Sequence, residues 1–393
     1  MKHPQLTTID GGPGTGKSTT IINNCKTIWK GKRVVVVTYT NSAADVLRLR
    51  APWVTSGTVY SLLWPFVGPV IPPAYRRKKH QKKAKSGYQV RSIENSRDQE
   101  LNKYGKDAPS NQAKSPDFIA ADMLHAWNGS PDYVPIDLET VTPDNELQYI
   151  LPIAYWLSIG GPMHESQKYD IVVIDEAQDM SALEVSAALL LLKEDGQAYA
   201  YGDPGQAIFS ESKGLEIGGI PYAWEACSSH QALSQGYRCG PEVAEPASAV
   251  LSDYYQLGAH LFTADHSSGI HRWNPSDRGN RPKTGMVLCH SRRNVVNTFH
   301  AWGLNGTPIV PGIADPNKQL IICTGHAAKG AEADDVYVTP WARPATERLY
   351  AGDPSMVKLL YVMMTRARYR LHLPGSLAAF VEAKEISYGT SMG

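Results

Sequence analysis

An α/β fold of two parallel-sheet units in tandem is what this sequence predicts, on three observations. A glycine-rich loop stands between a β-prone run, residues 6–10, and a helix-spaced run in which Ile21, Ile22, Cys25, Ile28 and Trp29 recur until Gly31. Continuous apolar strands, Val34 to Thr38 and Asp170 to Ile174, have the composition of strands covered on both faces. The same alternation of strand and helix then returns, with strands expected near Met286 to Leu288, Leu320 to Thr324, Val336 to Thr339 and Arg370 to Leu373.

The loop reads Gly11, Gly12, Pro13, Gly14, Thr15, Gly16, Lys17, Ser18, Thr19 and fits the pattern G-x-x-x-x-G-K-[ST]. Glycines let successive backbone N–H groups curl around phosphate, and the following helix presents its positive end to the same anion. Lys17 adds a point charge between phosphates, and Ser18 a hydroxyl for Mg²⁺. A nucleoside triphosphate site is expected.

The chain has 393 residues, room for two or three domains, and globular proportions of apolar and charged residues. It contains no apolar run long enough to span a membrane, and its N-terminus enters the first strand with no apolar signal segment. A soluble, cytoplasmic protein with no membrane partner is the expectation. Its 5 cysteines are scattered without a C-x-x-C pair, which argues for reduced thiols rather than a metal site. The net charge is only +1, but residues 70–115 hold 12 Lys/Arg against 4 Asp/Glu, which leaves the remainder acidic. A basic segment on an acidic body suits a polyanion.

From about Pro65 to Asn145 prolines and polar residues interrupt the periodicity, although Phe118 to Trp127 fits a helix. The expected organisation is a first domain of residues 1–65 and 146–240, an inserted basic subdomain of residues 66–145, and a second domain of residues 241–393. A helix is expected from Ala182 to Lys193, and a strand from Ala198 to Tyr201. After the strand at Ile174, Asp175 and Glu176 stand where parallel sheets place their ligands. Asp175 can hold the Mg²⁺ shell, and Glu176 can take a proton from attacking water. Alone, such an acidic pair is common.

Further stretches follow in order: residues 38–44 (TYTNSAA), 175–179 (DEAQD), 202–209 (GDPGQAIF), 236–238 (GYR), 324–332 (TGHAAKGAE) and 360–368 (LYVMMTRAR). With the phosphate loop, this series resembles the superfamily 1 DNA helicases, and its wording the UvrD/Rep branch. The resemblance implies two RecA-like P-loop domains, with ATP and Mg²⁺ in the cleft and single-stranded DNA, RNA not being excluded, across their tops. Lys17 would bind the β- and γ-phosphates, Ser18 and Asp175 would hold Mg²⁺, and Glu176 would activate water. Gln206 would sense the γ-phosphate, Tyr237 would stack on adenine, Glu332 would bind ribose, and Arg238 and Arg366 would be arginine fingers. Tyr39, Thr40, Asn41, Tyr60 and His326 would meet the nucleic acid, joined by Lys78, Lys79, Lys82 and Lys83 of the basic run, residues 76–85. Taken singly, Arg366 and Arg368 could be a solvated face, Tyr237 a core aromatic and Gln206 a turn residue.

The sequence also departs from that pattern. Ser210, Glu211 and Ser212 follow Phe209 where an aromatic and an arginine are usual in that branch, and Tyr60 stands where a histidine is common. Gln5 is the only nearby candidate for an adenine-reading glutamine. The short span from Val295 to Thr324 leaves no room for the branch's large second-core subdomain. The expected activity is a 3′→5′ single-strand translocase and helicase, acting as a monomer and meeting replication or repair proteins. A nucleic-acid-binding ATPase switch is the alternative, and a small-molecule P-loop kinase a third.

Overall fold

The computed structural model describes residues 5–69, 153, 156–157, 164–208, 221–233, 235–251, 263–276, 281–304 and 315–392. The chain divides into two compact units, Met1–Val59 with His164–Gly393, and Tyr60–Met163. Most of the second unit, with the basic run and the helix expected at Phe118 to Trp127, lies outside the described residues.

In the larger unit the first sheet is built from β1 (Leu6–Gly11), β2 (Val34–Thr38), β3 (Thr55–Thr58), β4 (Tyr169–Asp175), β5 (Leu192–Gly202) and β6 (Ser229–Leu233). Their order across the sheet is β3-β2-β4-β5-β1-β6, with parallel pairing throughout. The second sheet has β7 (Gly269–Arg272), β8 (Gly285–Cys289), β9 (Leu320–Thr324), β10 (Ala333–Val338) and β11 (Ala367–Leu373), in the order β7-β11-β10-β8-β9, again parallel. Parallel strands need crossovers, and helices supply them. The fold is the expected α/β architecture with two parallel sheets.

Helices α1 (Lys17–Lys26) and α2 (Asn41–Arg50) cover one face of the first sheet, where Ile21, Ile22, Cys25 and Leu47 pack on Val34, Val36, Ile171 and Val173. The alternate residues Val35, Val37, Val172 and Ile174 are buried on the opposite side, toward α4 (Ala182–Leu189). Both faces of β2 and β4 are therefore dry, which is why these strands read as unbroken apolar runs. Each buried valine contributes about 1.5–3 kcal/mol relative to exposure. The helix α3 (Val59–Val67) follows β3, and α5 (Tyr222–Ala226) precedes β6.

In the second half α6 (Pro241–Leu251), α8 (Arg343–Tyr350), α9 (Pro354–Met364) and α10 (Gly375–Met392) enclose the main core with one face of the sheet. On the other face α7 (Arg292–Ala301) packs with Trp273, Val287, Trp302 and Ile322. Among the described residues no helix is long and apolar enough to cross a membrane, and the five cysteines are free thiols.

The helix expected from Ala182 to Lys193 stops at Leu189, and β5 begins at Leu192. The run Leu189 to Leu192 is buried or nearly so, and continuous burial carries no period that distinguishes helix from strand. The start of α4 was better marked. Ser181 Oγ accepts from Glu184 N–H at 3.1 Å while the Glu184 carboxylate accepts from Ser181 N–H at 2.8 Å, a reciprocal cap.

Candidate active site

The phosphate loop joins β1 to α1. Gly14 and Gly16 both take φ 75°, a left-handed conformation that costs glycine little. A Cβ on Gly14 would also overlap the Cβ of Arg238, so backbones approach closely here. Tyr237 N–H donates to Gly14 O at 3.0 Å, and the exposed Tyr237 ring lies beside Gly16. Thr15 Oγ1 donates to Gly12 O at 2.9 Å. The Lys17 ammonium turns back onto the loop's own carbonyls, Gly11 O at 2.6 Å and Gly12 O at 3.3 Å. Thr19 Oγ1 accepts from Arg50 at 3.0 Å. Pro13 is buried in the loop and Gly12 half-buried.

Across the same sheet, with β5 between it and β1, β4 delivers the acidic pair. Ser18 Oγ donates to Asp175 Oδ2 at 3.3 Å, bringing two hard oxygen groups together. Burial, and then the neighbouring Glu176 charge, push the Asp175 carboxyl up to about 7 against the pull of Lys17 and Ser18. Glu176 goes the other way. Burial would raise it, but Lys329, Lys17, a hydrogen bond from Gln178 and Arg366 together hold it below the usual glutamate range. Of this coupled pair, Glu176 is the group that ionises first. Its φ of 56° is the one left-handed non-glycine backbone among the described residues. Gln178 Nε2 donates to Glu176 Oε2 at 2.5 Å, while Gln178 Oε1 accepts from Asp203 N–H at 3.2 Å.

Side chains from the second sheet's loops complete the arrangement. Lys329, in the loop after β9, bonds Asp179 Oδ2 and donates to Gln206 O at 2.7 Å, with Glu176 Oε2 at 3.9 Å. Arg366, at the end of α9, is 1% exposed; its Nη2 donates to Gln206 Oε1 at 3.1 Å, and its other donors go to Val362 O and Ala331 O. Burial, then the charge of Arg238, lowers its pKa to about 9, so it stays cationic at neutral pH. Gln206 Nε2 and Tyr361 Oη both donate to Asp203 Oδ2, at 2.8 and 3.0 Å. Burial and Asp203 push the Tyr361 phenol well up, which keeps it the donor.

Arg238 Nε donates to Glu332 Oε2 at 2.7 Å. The residues expected to serve as one finger and as the ribose contact are thus partners of each other. Gln5, the adenine-reading candidate, bonds the Glu194 carbonyl. Arg368, given no role from sequence, lies 3.7 Å from Asp334.

The structure brings Lys17, Ser18, Asp175, Glu176, Gln206, Arg238, Arg366 and Glu332 into one connected region. Tyr39, Thr40 and Asn41 stand at the C-terminal end of β2, where Thr40 Oγ1 caps α2 by accepting from Ala43 N–H at 3.2 Å. His326 stands in the loop after β9, and burial, then His290 and Lys329, lower its pKa. Tyr60 lies in α3 and stacks on Trp64 with ring centroids 5.1 Å apart. Lys78, Lys79, Lys82 and Lys83 lie outside the described residues.

Sequence reasoning assigned no role to Lys329, Gln178, Asp179, Asp203 or Tyr361. Their signal was their presence inside the quoted stretches. Their partners are up to 158 positions away in sequence, too distant for spacing to reveal.

A parallel α/β fold whose phosphate loop faces an acidic pair at the end of another strand of the same sheet defines the P-loop class of nucleotide-binding proteins. The chain belongs to the family described as the AAA domain, whose model matches residues 2–211. Among solved structures it is similar to the PRRSV helicase, at 14% identity and TM-score 0.43, covering 95% of this chain and 53% of that one. It is also similar to arterivirus nonstructural protein 10, a helicase solved with DNA, at 14% identity and TM-score 0.42, covering 96% of this chain and 63% of the other. The chain therefore spans between about half and two thirds of these proteins' length. No curated protein matches its sequence.

Proposed function

We propose that the chain is an ATP hydrolase driven by single-stranded nucleic acid, a 3′→5′ DNA translocase and helicase of the UvrD/Rep-like branch of superfamily 1 that acts as a monomer. One observation carries this reading: Arg366 and Lys329, from loops of the second sheet, bond Gln206 and Asp179 beside the Glu176 carboxylate of the first. A cleft that needs both sheets makes hydrolysis depend on their relative position, which is what a motor requires. The corresponding domains would be residues 1–65 with 146–240, an insertion at residues 66–145, and residues 241–393.

In this reading phosphate oxygens replace the Gly11 and Gly12 carbonyls around Lys17 Nζ. Ser18 and Asp175 suit Mg²⁺, because their oxygens converge at 3.3 Å and a divalent cation favours the ionised form of a buried carboxyl. When bound, that ion neutralises charge on the β- and γ-phosphates. Glu176, ionised and held by Gln178, accepts a proton from water. Arg366 and Arg238 meet the charge spread over the transferring phosphoryl group, and such a finger can be worth about 10³ to 10⁵ in rate. Arg238 leaves Glu332 to do so, freeing that carboxylate for a ribose, and the exposed Tyr237 ring offers a face for adenine. Tyr39, Thr40, Asn41, Tyr60 and His326 would contact the strand.

Steady-state ATP hydrolysis with and without single-stranded DNA tests this. Stimulation by single strands, greater than by duplex, is expected; a rate indifferent to nucleic acid would sink the proposal. A second reading, an ATPase switch that grips nucleic acid without processive unwinding, is favoured by Ser210, Glu211 and Ser212, which supply no ring for a base.

A further inference from the structure

Beyond Thr19 at the start of α1, the outward face of α1 and α2 is not used by the nucleotide site. The two helices lie side by side on one face of the first sheet, feeding the same core. Their outer surfaces adjoin at two places, where Arg50 Nη2 donates to Thr19 Oγ1 at 3.0 Å and where Lys26 Nζ lies 5.2 Å from the Trp53 ring centroid. On α2 and just past it Leu49 is 84% exposed, Trp53 55% and Val46 49%, and Ile28, two residues past the end of α1, is 74% exposed. Val46 and Leu49 are three positions apart on α2, so they share a face, and Trp53 follows four residues on. Of the 11 exposed large apolar side chains among the described residues, these four fall within residues 28–53. Exposed apolar residues scattered singly are ordinary, whereas a cluster rimmed by charge marks an interaction site.

The rim has one sign. Lys26 and Arg50 stand at the two contacts, the exposed Lys30 and Lys32 follow within six residues of Lys26, and the sole acid between residues 17 and 54, Asp45, already bonds Arg48 at 2.6 Å. We propose that this face docks an acidic amphipathic segment of a partner protein, its apolar side seated on Leu49 and Trp53 and its carboxylates against Lys26, Lys30 and Lys32. Nucleic acid suits the lysines but not the surface between them, since three of its four apolar side chains are aliphatic and offer no ring to a base. A second copy fits worse, because a two-fold self-contact would set these lysines against themselves.

The probe is a fluorescently labelled helical peptide with leucines and phenylalanine on one side and glutamates on the other, titrated with the full chain by anisotropy. Saturable binding tighter than about 1 mM, weakening as salt rises, is expected. Leu49→Glu should weaken it at least about tenfold by removing an apolar anchor and adding a repelled charge, with ATP hydrolysis and circular dichroism unchanged. The pair Lys30→Glu with Lys32→Glu should weaken it comparably and flatten its salt dependence; this variant also serves if Leu49→Glu misfolds. A lysine-for-glutamate version of the peptide should not bind. Failure to saturate, indifference to both variants, or equal binding of the lysine peptide would overturn the proposal. So would either rival outcome: loss of single-stranded oligonucleotide binding in place of peptide binding on Leu49→Glu, or a concentration-dependent dimer abolished by that substitution.

Discussion

Glu176 has a left-handed backbone and stands beside Asp175, whose carboxyl pKa burial raises; the strained backbone and the ionisation of Asp175 each cost folding free energy. The backbone alone costs about 1–3 kcal/mol, and strain of this kind gathers at working sites. Glu176→Gln keeps the shape and removes the proposed proton acceptor, so it should retain nucleotide binding while kcat falls at least about a hundredfold. Single-turnover hydrolysis beside a nucleotide-binding titration separates the two effects. The arginines should divide differently. Arg238 bonds a half-exposed glutamate, so Arg238→Ala should lower kcat by roughly 10² or more with little change in Tm. Arg366 is buried, and removing it strands Gln206 Oε1 and the Ala331 carbonyl. Arg366→Ala should therefore cost about 1–3 kcal/mol of stability as well as activity, visible as a lowered Tm.

Among the elements, β10 and β11 are tied by Asp335, whose carboxylate accepts from Arg370 Nε and Nη2 and lies 3.4 Å from His372 Nε2. The Arg370 hydrogen bond outweighs burial and holds the Asp335 carboxyl below its ordinary range. A depressed acid stabilises the fold above its unfolded pKa, near 3.9, and that contribution is lost as pH falls through the lower folded value. Asp335→Asn should therefore lower Tm at pH 6 and by progressively less as pH falls below about 4, as a set of melts across that range would record. How far each element was legible in the sequence depended on where its chemistry was written. Strands β2 and β4 carry their burial as unbroken valine and isoleucine, and the phosphate loop carries its function in backbone-permissive glycines. By contrast β6, Ser-His-Gln-Ala-Leu, is an edge strand with an exposed polar face and no periodicity, so nothing local announced it. The short strands β3 and β7 were equally silent, and α6 holds Pro246 inside a helix, against local preference. In the site, positions on the strand ends were readable. The bonds from Lys329 and Arg366 were not, because they depend on how two sheets meet.

At the scale of the whole molecule, the basic run supplies the test of nucleic-acid grip. If about four of its charges meet phosphates, replacing Lys78, Lys79, Lys82 and Lys83 with Ala should flatten log K against log salt by about 3, from roughly 0.7 per phosphate on single strands. Basal hydrolysis should persist. The first sheet, meanwhile, closes around a long excursion of the chain. Arg33 N–H donates to Asp170 Oδ2 at 2.6 Å, and the Arg33 guanidinium bonds the Ser166 carbonyl. Thr58 ends beside Thr38, at the far end of β2 from Arg33. The points where the chain leaves and re-enters the larger unit are thus separated by about one strand length, on the order of 17 Å at 3.3 Å per residue. Those bonds fasten the re-entry segment of the larger unit to the start of β2. A Gly/Ser bridge of about ten residues can span the gap. A chain bridged in this way should keep both sheets of the larger unit, and comparing its ATP hydrolysis and oligonucleotide binding with those of the full chain would measure what the excursion adds.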